Sequence, residues 1–441
     1  VRPRPPGRRA PRSRHPLARL EVPALWACFL AVHAVLGVIN ITSPTNPFGD
    51  VTVVYHEWVA GVFAGRIPAI DVEWVYPVLA IAPMLAAAGI ASAIAPVFDP
   101  SIADGVVFGV GWLVVVATVT APLLAWLAWT PRRREAAWWL LALTAALGPI
   151  STGRIDAITL PIAVAGMALL RHRPAVAGMV LAIGAWVKIW PGAIFLAALA
   201  GRGNRLFLIG GGAIVTGAIL TAASLAGGWP AVTSFVTEQT GRGLQIESIA
   251  ATIPMVFAAA GDQRFAAGYD TEILTVQITG PGMDLLATAT TPVMLLAIAV
   301  TGALGLLARR AGASMTRIVP PLALALVLVL ILTNKVGSPQ FVVWVIAVVV
   351  AWLAWDPRRA RVSAVVTLAI AAATQLIYPW NYPLVMSPSA FGVGLLLCRN
   401  LLYVSLFALT VWELVRVWRS ARSRLRAAEH GPDRVTDVVE F

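Results

Sequence analysis

Residues 46–77 read NPFGDVTVVYHEWVAGVFAGRIPAIDVEWVYP and hold four carboxylates, Asp50, Glu57, Asp71 and Glu73, with Arg66 as the one Lys or Arg among them. The chain as a whole is 59% hydrophobic and only 12% charged, so this concentration at the end of an apolar run needs a reason. An ionised carboxylate at a membrane boundary is costly unless it is paired or does chemistry. The stretch therefore reads as the loop that follows a first membrane crossing, and as the first place to look for an active site.

Working outward, apolar runs of spanning or near-spanning length recur along all 441 residues, and mean hydropathy is +0.81. No long hydrophilic segment is left to fold as a soluble domain. The expected class is an all-α polytopic membrane protein with its function in the membrane domain. We divide it into a disordered basic cytosolic tail (1–23), a transmembrane catalytic domain (24–418) and a cytosolic C-terminal tail (419–441). The first apolar run lacks a small-residue cleavage site and reads as an uncleaved helix. Cys28 and Cys398 each lie in an apolar segment and are expected to pack there rather than form a disulfide or hold a metal.

A formal charge of +12 in a soluble protein would suggest nucleic acid, but here the basic residues form short clusters between apolar runs. That is the positive-inside pattern, and it implies no nucleic-acid partner. Placing the clusters at 2–19, 132–134, 171–173, 202–205, 309–317, 358–361 and 416–434 in the cytosol gives twelve crossings of a plasma membrane. They are 24–42, 105–129, 138–150, 157–170, 175–187, 190–201, 205–228, 284–308, 318–335, 340–356, 362–378 and 391–415. Residues 76–97 are long enough to span but would be one crossing too many, so they are expected to be juxtamembrane or re-entrant. The extracytoplasmic loops then hold most of the non-basic polar signals. Only two residues are lysines, Lys188 and Lys335, and both sit beside proline-containing breaks away from the cytosolic clusters.

The ordered set D-x4-Y-x2-W-x6-G-x2-P-x2-D-x4-YP (from Asp50), GRID (from Gly153), VKIWP (from Val187) and SPQF-x2-W (from Ser338) resembles the polyprenol-phosphate-dependent glycosyltransferases of the GT-C fold. It is most similar to glycosyltransferase family 87, which includes mycobacterial phosphatidylinositol-mannoside α-1,2-mannosyltransferases. The resemblance covers roughly 25–415. This chain departs from the family at Pro68-Ala69-Ile70-Asp71, at Val78, at Gly153-Arg154-Ile155-Asp156 and at SPQF, which bears on substrate identity more than on fold. The resemblance implies inverting transfer of a sugar, mannose first, from a polyprenyl-phosphate donor to a lipid-linked or glycan acceptor. An arabinofuranosyltransferase using a polyprenyl-phosphoryl pentose is the alternative within the class, and a secondary transporter or lipid flippase the alternative outside it. No GxGxxG or Walker-type loop offers a nucleotide-sugar site.

Such chemistry needs a carboxylate to deprotonate the acceptor and cations to hold the phosphate. By resemblance Asp50 is the base; as a residue ahead of an amphipathic stretch it also reads as a helix N-cap. Asp71 and Glu73 form a D-x-E pair open to a divalent cation or the acceptor, or are simply solvated, two carboxylates being few for a hard cation. No other cofactor is implied. His56 lies one turn on from Thr52 and reads as a substrate-orienting or surface residue. Arg154 and Asp156 read as an ion pair at a helix start or as donor contacts. Lys188 and Lys335 are phosphate candidates or snorkelling anchors, and Arg399, within the last apolar run, reads as a lipid-phosphate contact or as half of a buried pair. Gln245 and Glu247 read as contacts to sugar hydroxyls. Tyr55, Tyr76 and Gln340 are motif positions expected at the substrate. Trp58, Trp74 and Trp190 fit stacking on sugar or, more simply, the interfacial aromatic belt.

Overall fold

The computed structural model describes residues 17–201, 205–229, 231–238, 241–271 and 275–429. In chain order the helices are α1 (Leu17–Thr42), α2 (His56–Phe63), α3 (Ile81–Ile94), α4 (Asp104–Trp129), α5 (Arg134–Leu147), α6 (Asp156–Leu169), α7 (Pro174–Val187), α8 (Pro191–Leu199), α9 (Arg205–Leu225), α10 (Ser234–Thr237) and α11 (Thr252–Ala259). After them come β1 (Ala266–Asp270), β2 (Thr275–Thr279), then α12 (Met283–Arg310), α13 (Met315–Leu332), α14 (Val342–Trp355), α15 (Pro357–Gln375), α16 (Tyr382–Met386) and α17 (Ala390–Glu429). The fold is an all-α polytopic membrane protein apart from the antiparallel β1–β2 hairpin, in which Ala266 faces Thr279 and Asp270 faces Thr275.

Among the described residues eight helical stretches are long and apolar enough to cross a bilayer. Seven coincide with expected crossings, and the eighth is Val78–Val97, which the basic clusters left over. The other expected crossings are short: α5, α6, α7 and α14 have 14 residues each and α8 has nine. At 1.5 Å per residue a 14-residue helix is about 21 Å long, against a hydrocarbon core of about 30 Å. Backbone chemistry sets several of these limits. Pro174 and Pro191 open α7 and α8, where a missing N–H costs nothing. Gly148, at φ +73°, ends α5 before Pro149.

The main core gathers α5, α6, α13, α14, α15 and α17. At its centre α14 is buried at every residue from Val342 to Leu353, as its all-round apolar sequence requires. A second cluster joins the Asp50 segment to α3, α4 and the start of α6. The start of α4 touches that segment so closely that a Cβ on Gly105 would stand 2.2 Å from the Thr52 carbonyl oxygen. Tyr76, just before Val78–Val97, packs against Tyr55 at 6.4 Å between ring centroids. The chain thus enters and leaves the Val78–Val97 stretch beside the same segment.

Both tail boundaries move. Helix α1 already begins at Leu17 and α17 runs on to Glu429, so 17–23 and 419–429 are helical continuations, while 1–16 and 430–441 lie outside the described residues. Cys28 is half-buried against the main core, whereas Cys398 is exposed on α17.

Candidate active site

Asp50 opens a π-helical turn, Asp50–Tyr55, that runs directly into α2. Gly49 before it is already helical, and no side chain caps this end, so the N-cap reading does not hold. The carboxylate turns instead to Arg154, with Asp50 Oδ2 2.8 Å from Nε. Arg154 also donates to the carbonyls of Pro47 (3.0 Å) and Gly153 (2.7 Å), and its Nη2 lies 3.4 Å from Tyr378 Oη. One guanidinium fork therefore ties together the Asp50 segment, the turn before α6 and the segment after α15, a geometry an ammonium point charge would not give. Asp50 remains 45% exposed while Arg154 is 10% exposed. The Asp50 side chain lines a cavity.

That cavity, about 480 Å³, lies between the Asp50 segment, Glu238, residues 242–247, β2, residues 336–340 and the tyrosines 378 and 382. One wall is aromatic. Tyr55 stacks on Trp58 at 5.5 Å, and Tyr76 meets Trp58 and Trp74 edge-on at 5.6 Å each. Tyr55 is fixed from behind, its hydroxyl accepting the Ile155 N–H at 3.2 Å. On the far wall Gln340 Oε1 is buried without a hydrogen-bond partner, and so is Nε of Arg242. The loop 336–340 approaches residues 245–248 so closely that a Cβ on Gly337 would lie 2.3 Å from the Glu247 carbonyl carbon, so only glycine fits there. Gln245 donates its N–H to the Lys335 carbonyl and bridges to Gln277, joining the hairpin to the same wall.

Seven of the sequence candidates line this cavity: Asp50, Tyr55, Tyr76, Arg154, Gln245, Glu247 and Gln340. The others lie elsewhere. His56 packs on Phe108 (5.4 Å), away from Asp50, because the π turn advances the side chains differently from the α-helical spacing assumed for it. Asp71 accepts the Ile67 N–H at 2.7 Å, a turn closure, and Glu73 beside it is exposed. Among the described residues no three His, Cys, Asp or Glu side chains gather as a metal site.

Arg154 and Asp156 do not pair with each other. Asp156 is fully buried, takes a short hydrogen bond from Trp344 Nε1 and faces Lys188 Nζ at 3.5 Å. Lys188 lies over the Tyr76 ring at 4.4 Å, behind the cavity wall rather than on it. An apolar groove of about 470 Å³ opens alongside, between α7, α8, α9, α12 and α13, with Trp186 and Ile189 on its wall. Lys335 is buried, and burial followed by the neighbouring Arg242 charge holds its ammonium below the usual lysine range. Arg399 pairs with Glu247 in the buried interior and also donates to its carbonyl at 2.7 Å, so it meets a carboxylate and not a lipid phosphate. Burial pushes the Glu247 carboxyl up against the pull of Arg399. Trp74 and Trp190 are buried, Trp190 donating to Thr159, so neither belongs to an interfacial belt.

Trp58, for which the sequence left sugar stacking and the interfacial belt both open, is on the lining, and so are Glu238, Arg242, Tyr378 and Tyr382, which sequence reasoning did not single out. Arg242 had a signal: it is an arginine in a long loop on the side where the charge rule leaves few. No family model, curated protein or solved structure was found to match the chain.

Proposed function

We propose that the chain is a GT-C-type glycosyltransferase that moves a sugar, mannose by its resemblance, from a polyprenyl phosphate to a lipid-linked or glycan acceptor at the extracytoplasmic face. The observation that carries this reading is a half-exposed carboxylate, Asp50, set by Arg154 at the mouth of a cavity that combines an aromatic wall with buried amide and guanidinium groups. Aromatic faces suit the apolar faces of sugar rings, and the orphaned Gln340 oxygen suits a hydroxyl donor. The apolar groove beyond Tyr76 and Lys188 suits an isoprenoid chain, which is why a lipid-linked donor fits better than a soluble one.

In the reaction the acceptor oxygen attacks the anomeric carbon as the carbon–oxygen bond to phosphate breaks. Asp50 takes the acceptor proton, and the leaving phosphate carries the bonding pair away. Arg242 stands on the cavity wall, where its guanidinium balances that charge as it develops, with the Lys335 ammonium behind it. Inversion follows from a single displacement with base and leaving group on opposite sides.

The test is to incubate purified protein with polyprenyl-phosphate-mannose or polyprenyl-phosphate-arabinose and a lipid extract, and to identify products by mass spectrometry. A hexosylated product from the first supports the mannose reading. A pentosylated product from the second alone keeps the class and changes the sugar, and no product from either overturns the assignment.

A further inference from the structure

A second and larger cleft, about 970 Å³, lies at the opposite ends of the helices from Asp50 and brings together none of the candidate residues. Its origin is the short helices. Gln340, on the wall of the Asp50 cavity, lies in the 3-10 turn that leads into α14, and α14 ends 15 residues later at Trp355, on the wall of this cleft. Seventeen helical residues from Pro339 to Trp355 cover about 25 Å, less than a bilayer core of about 30 Å. Helix α6 likewise stops at Leu169, whereas the neighbouring α4 continues for 26 residues. The ends of α6 and α14 therefore leave a recess beneath the level their longer neighbours reach.

The rim of that recess is strongly basic. Arg132 and Arg133 come from the α4–α5 turn, Arg171 from the α6–α7 turn, and Arg358 and Arg361 from the start of α15. The two carboxylates present are already engaged. Glu135 holds Arg361 at 2.8 Å, and Asp356 accepts the Arg359 N–H at the start of α15. Arg132, Arg133, Arg171 and Arg358 have no carboxylate within 4.0 Å among the described residues, while Arg134, Arg359 and Arg416 nearby do. Trp126, with Arg133 4.2 Å over its ring, Trp355 and Leu169 supply apolar wall. Retention on one side of a membrane requires positive charge in these turns. It does not require that three separate turns aim unpaired arginines at one amphipathic recess.

We propose that this cleft binds the phosphodiester headgroup of an anionic phospholipid from the adjoining leaflet, with a two-phosphate headgroup such as that of cardiolipin the best match to charges converging from three turns. The shared chemistry with a soluble polyphosphate is the phosphate itself. The tryptophan and leucine wall favours the lipid, whose glycerol and acyl carbons continue past the charged rim.

The test compares wild type with an Arg132→Gln/Arg171→Gln/Arg358→Gln variant, which keeps Arg133, Arg134, Arg173 and Arg359 to hold orientation. Native mass spectrometry counts cardiolipin retained from mixed cardiolipin–phosphatidylcholine nanodiscs, with pyrophosphate as the soluble competitor and Arg416→Gln, outside the cleft, as control. Cardiolipin affinity is expected to fall about fivefold per arginine removed, with phosphatidylcholine retention and the control unchanged. Equal cardiolipin retention in the triple variant overturns the site. Arginine-dependent binding of pyrophosphate without any arginine-dependent retention of cardiolipin overturns the lipid as its ligand.

Discussion

Arg154 reaches across 104 positions of sequence to set its Nε 2.8 Å from Oδ2 of Asp50. The pair is the hinge of the proposed chemistry, because it orients a carboxylate that would otherwise swing freely at the mouth of the cavity. The carboxylate nevertheless stays 45% exposed, and orientation and basicity can be separated by substitution.

Asp50→Asn keeps the shape and one acceptor toward Arg154 while removing the base. Turnover should fall about 10²- to 10⁴-fold, with a loss of stability of about 1 kcal/mol for the weakened charge-assisted contact. Since Asp50 caps no helix end, a large stability loss is not expected. Product formation at wild-type rate would remove Asp50 from the mechanism.

Arg242→Gln addresses the phosphate wall. Removing a charge-assisted contact of about 1.5–3 kcal/mol should weaken donor binding roughly 10- to 150-fold. Thermal stability should stay near wild type, because burial works against the Arg242 charge and its Nε makes no hydrogen bond. Donor affinity that survives the change would place the phosphate elsewhere in the cavity.

For Arg399 the expectation is structural. Arg399→Met strands Glu247 as an unpaired buried carboxylate and should destabilise the protein by about 3–5 kcal/mol, read as a drop in thermal midpoint. Adding Glu247→Gln should recover much of that loss. If the single variant instead melts normally and binds donor poorly, Arg399 contacts substrate after all.

Orientation is checked by labelling. In a background lacking Cys28 and Cys398, a cysteine at the exposed Gln263 should react from outside intact cells, and one at Arg132 only after permeabilisation. The reverse pattern would put the Asp50 cavity in the cytosol.

The membrane class, seven of the eight long helices and seven residues of the cavity lining were legible in the sequence because they depend on local signals: apolar length, basic clusters and motif spacing. Partner choice was not. Arg154 and Asp156 are two apart, so on a helix start they point to different sides, one to Asp50 and the other to Trp344 and Lys188. Asp71 drew attention as a scarce carboxylate, yet its work is local, closing a turn on the Ile67 N–H. His56 was misplaced because a π turn is invisible to a period-3.6 reading. The β1–β2 hairpin and Arg242 lay in a loop whose shape depends on contacts of Gln245 with Lys335 and of Glu247 with Arg399, far away in sequence.

The burial of α14 bears on how the protein is made. A 14-residue segment that touches other helices on all sides has no lipid-facing surface to hold it in place alone, and it is too short to settle across the bilayer by itself. Helices α5, α6 and α13 are synthesised before it, and α15 and α17 after it. The segment therefore needs its earlier neighbours waiting, and it is secured only when the later ones close over it. Damage to that late assembly, such as a charge introduced at Val345 or Val349, should appear first as failed insertion and degradation, before any catalytic defect can be read.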